Sequence, residues 1–369
     1  MSRDILRLGS LRSLGFGLGN PHEFIAKHTA RAHIQGKKTR SFLLTDASAP
    51  IHVITDQEVA KWCLSNPGLF AFYRGDLLEK FFGRGTLILE GKEHSDSRRA
   101  LMEKILLGES IDPSPYILGQ LTKITWESGP KDLVELLQKA AIAWGLRILG
   151  RHSASGVVDW HPELGKIPAS EQNAKSEDLI WEWLEASKSR TLLVPRLRTI
   201  PLLGRPTKGW RGILEMDESM TREGFGPLER TFLAGLVDNA VLTAAECFAS
   251  YGRWEDIKSG FYPVPMLFRE ATEDTLVKGI GIIRKGHGIG ISTRITGLGF
   301  GSGTHACPGK KLADLFIEEV RRTKIALGLR TVPGQEIKRD HIRLSYGIKK
   351  LMVYRKPNAA ELARSRLKK

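Results

Sequence analysis

Phe300-Gly301-Ser302-Gly303-Thr304-His305-Ala306-Cys307-Pro308-Gly309, running directly into Lys310-Lys311-Leu312-Ala313, decides how this sequence is read. It sets one thiol in a tight glycine-rich turn just before an amphipathic stretch, Leu312 to Leu327. There Leu312, Phe316 and Val320 share a helical face with Ala313 and Ile317. A thiolate in such a turn meets backbone N–H groups and the positive end of a helix dipole. Both stabilise its charge and suit it to be an axial iron ligand. The glycines let the backbone come close to a flat ring. Alone, Gly-x-His-x-Cys fits a buried structural cysteine equally well; its surroundings separate the two.

Upstream of the thiol, Leu276-Val277, Ile280, Ile282-Ile283, Ile289 and Ile291, with glycines between them, predict short strands and tight turns. Before these, a long helix is expected from about Pro227 to Tyr251. It is apolar on nearly every side at Phe232, Leu233, Ala234, Leu236, Val237, Val241 and Leu242, as a helix crossing an interior should be. Asp238 and Asn239 interrupt that run. From Arg190 to Arg211, Pro195, Pro201 and Pro206 stand between basic residues and mark an irregular surface connection. Helical spacing recurs from Glu93 to Leu107 and from Leu133 to Leu149, both free of proline.

Nearer the start, Arg40 to Leu44 and Ile51 to Thr55 read as strands around the turn-rich Asp46 to Pro50, with a helix from Asp56 to about Leu64. The expected fold is mainly α with a minor β lobe, a single unit over residues 1–369. Its parts are an N-terminal β lobe at about 38–60, a helical core at about 90–260, and a second β region with the thiol loop at about 264–328.

The thiol loop resembles the heme-binding loop of the cytochrome P450 family, Phe-x-x-Gly-x-His-x-Cys-x-Gly followed by Leu-Ala. Phe300, Gly303, His305, Cys307, Gly309, Leu312 and Ala313 all match. The resemblance runs from about Phe42 to the C-terminus, unevenly in the middle, and suggests an atypical, shortened, bacterial-type soluble member. It implies a P450-like fold holding heme b (iron protoporphyrin IX), with Cys307 as the metal ligand and the helix around Ala234 over the opposite face. Glu93-His94-Ser95-Asp96-Ser97-Arg98-Arg99 is similar to the family's helix whose His and Arg point at a heme propionate. His94 and Arg98 stand one turn apart on one face; without the resemblance they read as surface residues. Arg269, in Phe268-Arg269-Glu270-Ala271-Thr272-Glu273-Asp274, resembles the second propionate-binding arginine, and His305 completes the set. Buried heme carboxylates need such cationic or N–H partners.

The activity implied is that of a monooxygenase. The thiolate pushes electron density onto iron, favours O–O cleavage, and leads through a ferryl species to oxidation of a small organic, secondary-metabolite-like substrate. Lys310, Lys311, Arg321, Arg322 and Lys324 then border the proximal face and could attract an acidic ferredoxin or flavodoxin. They fit a solvated helix surface as well.

Three departures stand against the resemblance. The family's Glu-x-x-Arg has as its nearest counterpart Glu255-Asp256-Ile257-Lys258, and lysine does not reproduce the bidentate fork. The stretch from Arg269 to Cys307 is short and lacks the usual proximal segment. On the long helix the family places an acid and an alcohol after Ala-Gly to relay protons. Aligning Ala234-Gly235-Leu236 puts Val237 at the acid and Asp238 at the alcohol. In the other reading Asp238 sits at a local kink and the register is displaced by one residue. Asp238 and Asn239 are the candidate catalytic residues either way. Val237 and Asp238 in place of the acid and alcohol favour, as alternatives, a peroxide-using peroxygenase in which Asp238 moves a proton between the two oxygens, or a non-redox isomerase or dehydratase. The missing proximal elements favour a heme-binding protein without turnover.

Composition narrows the field less. Hydrophobic residues at 41% and charged residues at 26% are those of a globular protein large enough to enclose a planar cofactor. The net charge of +15 would permit nucleic-acid or anionic-membrane binding, but the basic residues are dispersed among acidic ones and no nucleic-acid motif accompanies them. Residues 1–20 lack the long apolar core of a signal peptide or membrane anchor. Three cysteines cannot all pair within the chain, which points to a reducing, cytoplasmic setting with Cys63 and Cys247 as small buried hydrophobes. Gly204-Arg205-Pro206-Thr207-Lys208-Gly209 fails as a phosphate loop because Trp210-Arg211 follow. Gly286, Gly288 and Gly290 open no helix, which argues against a dinucleotide site.

Overall fold

The structure, a computed structural model, describes residues 6–8, 20–35, 42–45, 50–72, 91–125, 127–150, 159–161, 165–167, 177–184, 218–250, 254, 261–303, 306–342 and 345–357. The two β regions expected separately form one six-stranded sheet, in the order Leu6–Leu8, Phe42–Thr45, Pro50–Ile54, Gly288–Ser292, Met266–Ala271, Phe70–Phe72. Pro50–Ile54 runs parallel to Gly288–Ser292, with Ile51 opposite Gly288 and Val53 opposite Gly290. Gly288–Ser292 runs antiparallel to Met266–Ala271 and sets Ile289 opposite Arg269. Gly290 is glycine for a packing reason, since a Cβ there would lie 2.8 Å from the Met266 sulfur.

Helix Gln57–Leu64 follows the sheet's third strand and starts where Asp56 Oδ1 accepts the Val59 N–H at 3.0 Å. Asp132 does the same for Leu133–Ile148, accepting from Val134 N–H at 3.0 Å. That helix is buried on almost every side, and Trp144 within it stacks on Phe316 at 5.9 Å while its indole N–H donates to the Ile111 carbonyl at 3.1 Å. Gly145 marks its crossing with the long helix, because a Cβ there would meet Leu233 Cδ2 at 2.7 Å.

The long helix is interrupted. It runs as α-helix over Pro227–Gly235, as a π turn over Leu236–Ala240, and again as α-helix over Val241–Ala249, where Ser250 turns to extended backbone. The expected end at Tyr251 is therefore too late. Pro227–Ala249 is long and apolar enough to cross a membrane, yet 89% of its most apolar window is buried inside the protein, as befits a core helix. Helix Lys310–Ala326 packs beside it at the π turn.

Several elements lie outside the expectations above, among them a helix and a hairpin. Helix Pro21–Ile34 begins at Asn20, whose Oδ1 accepts from His22 N–H at 3.1 Å, with Pro21 at the first helical position. A hairpin of Arg339–Ile342 and Ser345–Ile348 follows the last helix. The stretch from Arg190 to Arg211 lies outside the described residues.

Candidate functional site

The thiol loop is closed by its own backbone. Gly301 N–H donates to the Leu298 carbonyl at 2.9 Å, Ala306 N–H to Gly303 at 3.1 Å, and Cys307 N–H to Phe300 at 2.6 Å. Phe300 leans on the helical core and Lys310 Nζ lies 5.7 Å from its ring centre. The first helical bond of Lys310–Ala326 runs from Ala313 N–H to Gly309 at 3.0 Å. Cys307 is exposed, and its Sγ lies 3.9 Å from where a Gly309 Cβ would stand, against the positive end of that helix.

Gly303 is glycine for two reasons. Its φ is +67°, and a Cβ would come within 3.1 Å of the Leu64 carbonyl oxygen and of Ser65 Cα. Thr304 and His305 lie outside the described residues. The other two thiols are structural. Burial pushes the Cys63 thiol up to about 12, and buried Cys247 donates weakly to the Trp254 carbonyl at 3.8 Å.

Over the interior helix, every residue from Phe232 to Ala249 is buried except Gly235 and Asn239. These two, four positions apart, make one accessible strip. A Cβ added at Gly235 would meet nothing within 4 Å, so open space lies beside it. Ala234, Val237 and Asp238 are 6%, 0% and 5% exposed. Thr243 Oγ1 donates to the Asn239 carbonyl at 2.7 Å, and Asn239 Oδ1 accepts from Ser345 Oγ at 3.0 Å. A π turn inserts one residue into a helix, and such turns cluster at functional sites. Counting in α-helical steps from Gly235 therefore goes wrong by one residue beyond it.

Arg269 is 4% exposed on the strand Met266–Ala271. Its Nη1 donates to the Phe268 carbonyl at 2.8 Å and its guanidinium lies 3.8 Å from the Phe72 ring centre. Helix Gly91–Gly108 carries His94 and Arg98 as expected, while their side chains lie outside the described residues. Glu255 to Lys258 lie outside as well. A flat, anionic, iron-bearing group such as heme fits this donor set: an accessible thiol, a strip relieved of side chains at Gly235, and a buried guanidinium.

The five basic residues divide. Lys311 pairs with Glu109, Arg321 with Glu318 at 2.6 Å, and Arg322 lies 3.6 Å from the same carboxylate. Lys324 turns inward, donating to the Phe248 carbonyl at 3.3 Å and lying over the Phe248 and Trp254 rings. Burial lowers its pKa, so it belongs to the helix packing rather than to an outer cationic face.

No family model and no curated protein matches this sequence. Solved structures do. A mutant of P450 EryK in complex with erythromycin B has a TM-score of 0.66 at 13% identity, covering 92% of this chain and 98% of its own. CYP109E1 from Bacillus megaterium, in complex with testosterone, has a TM-score of 0.65 at 15% identity over 92% of this chain and 98% of its own. One of the unusual cytochrome P450-like monooxygenases of microbial secondary metabolism has a TM-score of 0.64 at 13% identity over 87% of this chain and 97% of its own. The chain has the cytochrome P450 fold, mainly helical with a β lobe.

Proposed function

We propose that this protein is a heme-thiolate oxidoreductase of the cytochrome P450 family, a monooxygenase acting on a small organic molecule. The observation that supports the reading is the loop that presents Cys307 at the start of helix Lys310–Ala326, a helix that packs against the π turn carrying Asn239, within a P450 fold. Cys307 Sγ would hold the iron of heme b. Arg269, with His94, Arg98 and His305, would neutralise its propionates, and Ala234 with Gly235 would lie against its other face. Phe300, Gly303 and Gly309 shape the thiol loop. Heme, when bound through a thiolate, supplies an iron centre that favours O–O cleavage.

The chain's own work is then to exclude water and place protons. Phe232, Leu233, Leu236 and Val237 keep the helix dry around the strip. Asp238, buried beside the strip, would be the carboxyl group that gives or accepts a proton there, and Asn239 offers its amide without titrating. Val237 and Asp238, aligned where the family has its acid and alcohol, favour a second reading, in which peroxide replaces dioxygen and reductant, or in which the reaction is a non-redox isomerisation or dehydration. We place the protein in the cytoplasm as one unit, served by an acidic ferredoxin or flavodoxin at the Lys310 side. A heme-binding role without turnover is the remaining rival.

The absorption spectrum of the reduced carbonyl complex tests the central claim. A strongly red-shifted Soret band that Cys307→Ser abolishes is expected; a colourless protein after heme reconstitution refutes it. Turnover with a ferredoxin system, with hydrogen peroxide alone, or with neither separates monooxygenase, peroxygenase and the redox-free readings.

A further inference from the structure

We infer that Ser345 is a positioning residue that fixes which edge of the Asn239 amide faces the cofactor strip, an inference that rests on the heme reading above. The hairpin Arg339–Ile342/Ser345–Ile348 is docked on the long helix at three points. Ser345 Oγ donates to Asn239 Oδ1 at 3.0 Å. Gly347 comes so close that a Cβ on it would lie 3.2 Å from Leu242 Cβ. Arg339 makes a bidentate pair with Glu246, Nε to Oε1 at 2.7 Å and Nη2 to Oε2 at 2.9 Å. Asn239, Leu242 and Glu246 are spaced i, i+3 and i+7 and so form a single stripe on the helix. On its far side the hairpin is held by Tyr346 N–H donating to the Pro263 carbonyl at 2.7 Å.

The chemistry follows from the donor inventory. A carboxamide has an acceptor edge and a donor edge, and rotation about its last bond exchanges them at little cost. Ser345 is 2% exposed and its hydroxyl bonds to no other group among the described residues, so a flipped amide donating to Oγ would strand the buried O–H, and giving that proton to Oδ1 is the favoured orientation. With Oδ1 engaged, the Nδ2 hydrogens are the part of Asn239 left for the accessible side it shares with Gly235. The strip therefore presents a hydrogen-bond donor to whatever binds iron on that face. A donor there favours ligands with an electron-rich outer atom, and an acceptor turned the same way would repel them. The bidentate Arg339–Glu246 pair and the glycine contact hold the hairpin in register, so Ser345 meets the π turn in one place.

The C–O stretch of the ferrous carbonyl complex, measured by infrared spectroscopy on the heme-loaded protein, reads the field over the iron without turnover. A donor aimed at bound carbon monoxide lowers this frequency. Ser345→Ala should move the band upward or split it, as two amide orientations become populated, and Ser345→Thr should restore the original single band. Asn239→Leu should shift the band upward, and adding Ser345→Ala to it should change nothing further. Should Ser345→Ala disturb the hairpin, Ser345→Cys keeps the size with a weaker donor and should give a smaller upward shift. Bands that coincide in wild type, Ser345→Ala and Ser345→Cys, with the thiolate Soret band present in each, would overturn the role of Ser345 and leave the heme reading standing. A protein that takes up no heme would overturn both together.

Discussion

The ring of Tyr262 lies over Gly299 so closely that a Cβ on that glycine would fall within it. Tyr262 precedes the strand Met266–Ala271 and Gly299 immediately precedes Phe300, so this contact fixes the start of the thiol loop against the sheet. Gly299→Ala should cost about 1–3 kcal/mol through overpacking, or more if the loop cannot yield. Tyr262→Ala should remove most of that penalty, giving a strongly non-additive double-mutant cycle by denaturant unfolding. Additive effects would show that the ring moves aside freely.

Glu246 is almost wholly buried on the long helix, its side chain 5% exposed, whereas Arg339 keeps 38% of its side chain in water. Removing Arg339 strands a buried carboxylate. Arg339→Met should destabilise the protein by about 2 kcal/mol, less than the roughly 3–5 of a fully buried pair because solvent reaches the cation. Glu246→Gln in the same background should recover part of the loss. A variant as stable as wild type in urea titration would mean that the hairpin is held without this pair.

His287 lies in the turn before the strand Gly288–Ser292, with its Nδ1 3.4 Å from His52 Nε2. Burial, then the neighbouring Arg284 charge, hold the His287 pKa below its usual 6.5, with Asp274 pulling the other way. The folded protein thus binds the proton more weakly than the unfolded chain. Stability should be intact above about pH 6.5 and decline as acid carries the pH down through the lowered folded value. His287→Gln should flatten that part of the profile. A wild-type profile already flat between about pH 7 and pH 5 contradicts this.

Lys310 is exposed beside the Cys307 loop, and Lys311 is engaged with Glu109. Lys310→Glu should weaken turnover supported by an acidic ferredoxin, and the loss should shrink at high salt. Lys311→Glu should do the same while also opposing Glu109, so a stability measurement must accompany it. Rates equal to wild type for both, at low salt, remove the docking site from this face.

Much of the fold was legible because burial leaves a period. Helices Leu133–Ile148 and Lys310–Ala326, the cap at Asp56 and the strands around Pro50 announce themselves in alternation, spacing and turn residues. The thiol loop was legible for a different reason, since Cys307 combines with glycines whose conformations few other residues adopt. What the sequence concealed is long-range. Nothing near Ser345 indicates that it meets Asn239, 106 residues away, or that Arg339 meets Glu246, 93 residues away. The single six-stranded sheet was hidden likewise, because a parallel pairing between Pro50–Ile54 and Gly288–Ser292 leaves no local mark in either strand. Helix Pro21–Ile34 did carry a signal in Asn20-Pro21, a cap followed by a proline, which weak periodicity obscured.

The π turn has one more consequence, for how this chain tolerates change in length. Five residues in π geometry turn about as far as four in α geometry, so removing one residue between Leu236 and Ala240 would let the segment relax to ordinary α-helix with Leu242 and Glu246 still facing the hairpin. A further residue added there finds no such relief and would turn everything beyond it by about 100°. The π turn thus acts as slack already taken up. The helix can lose a residue at that point and keep its phase, but it cannot gain one.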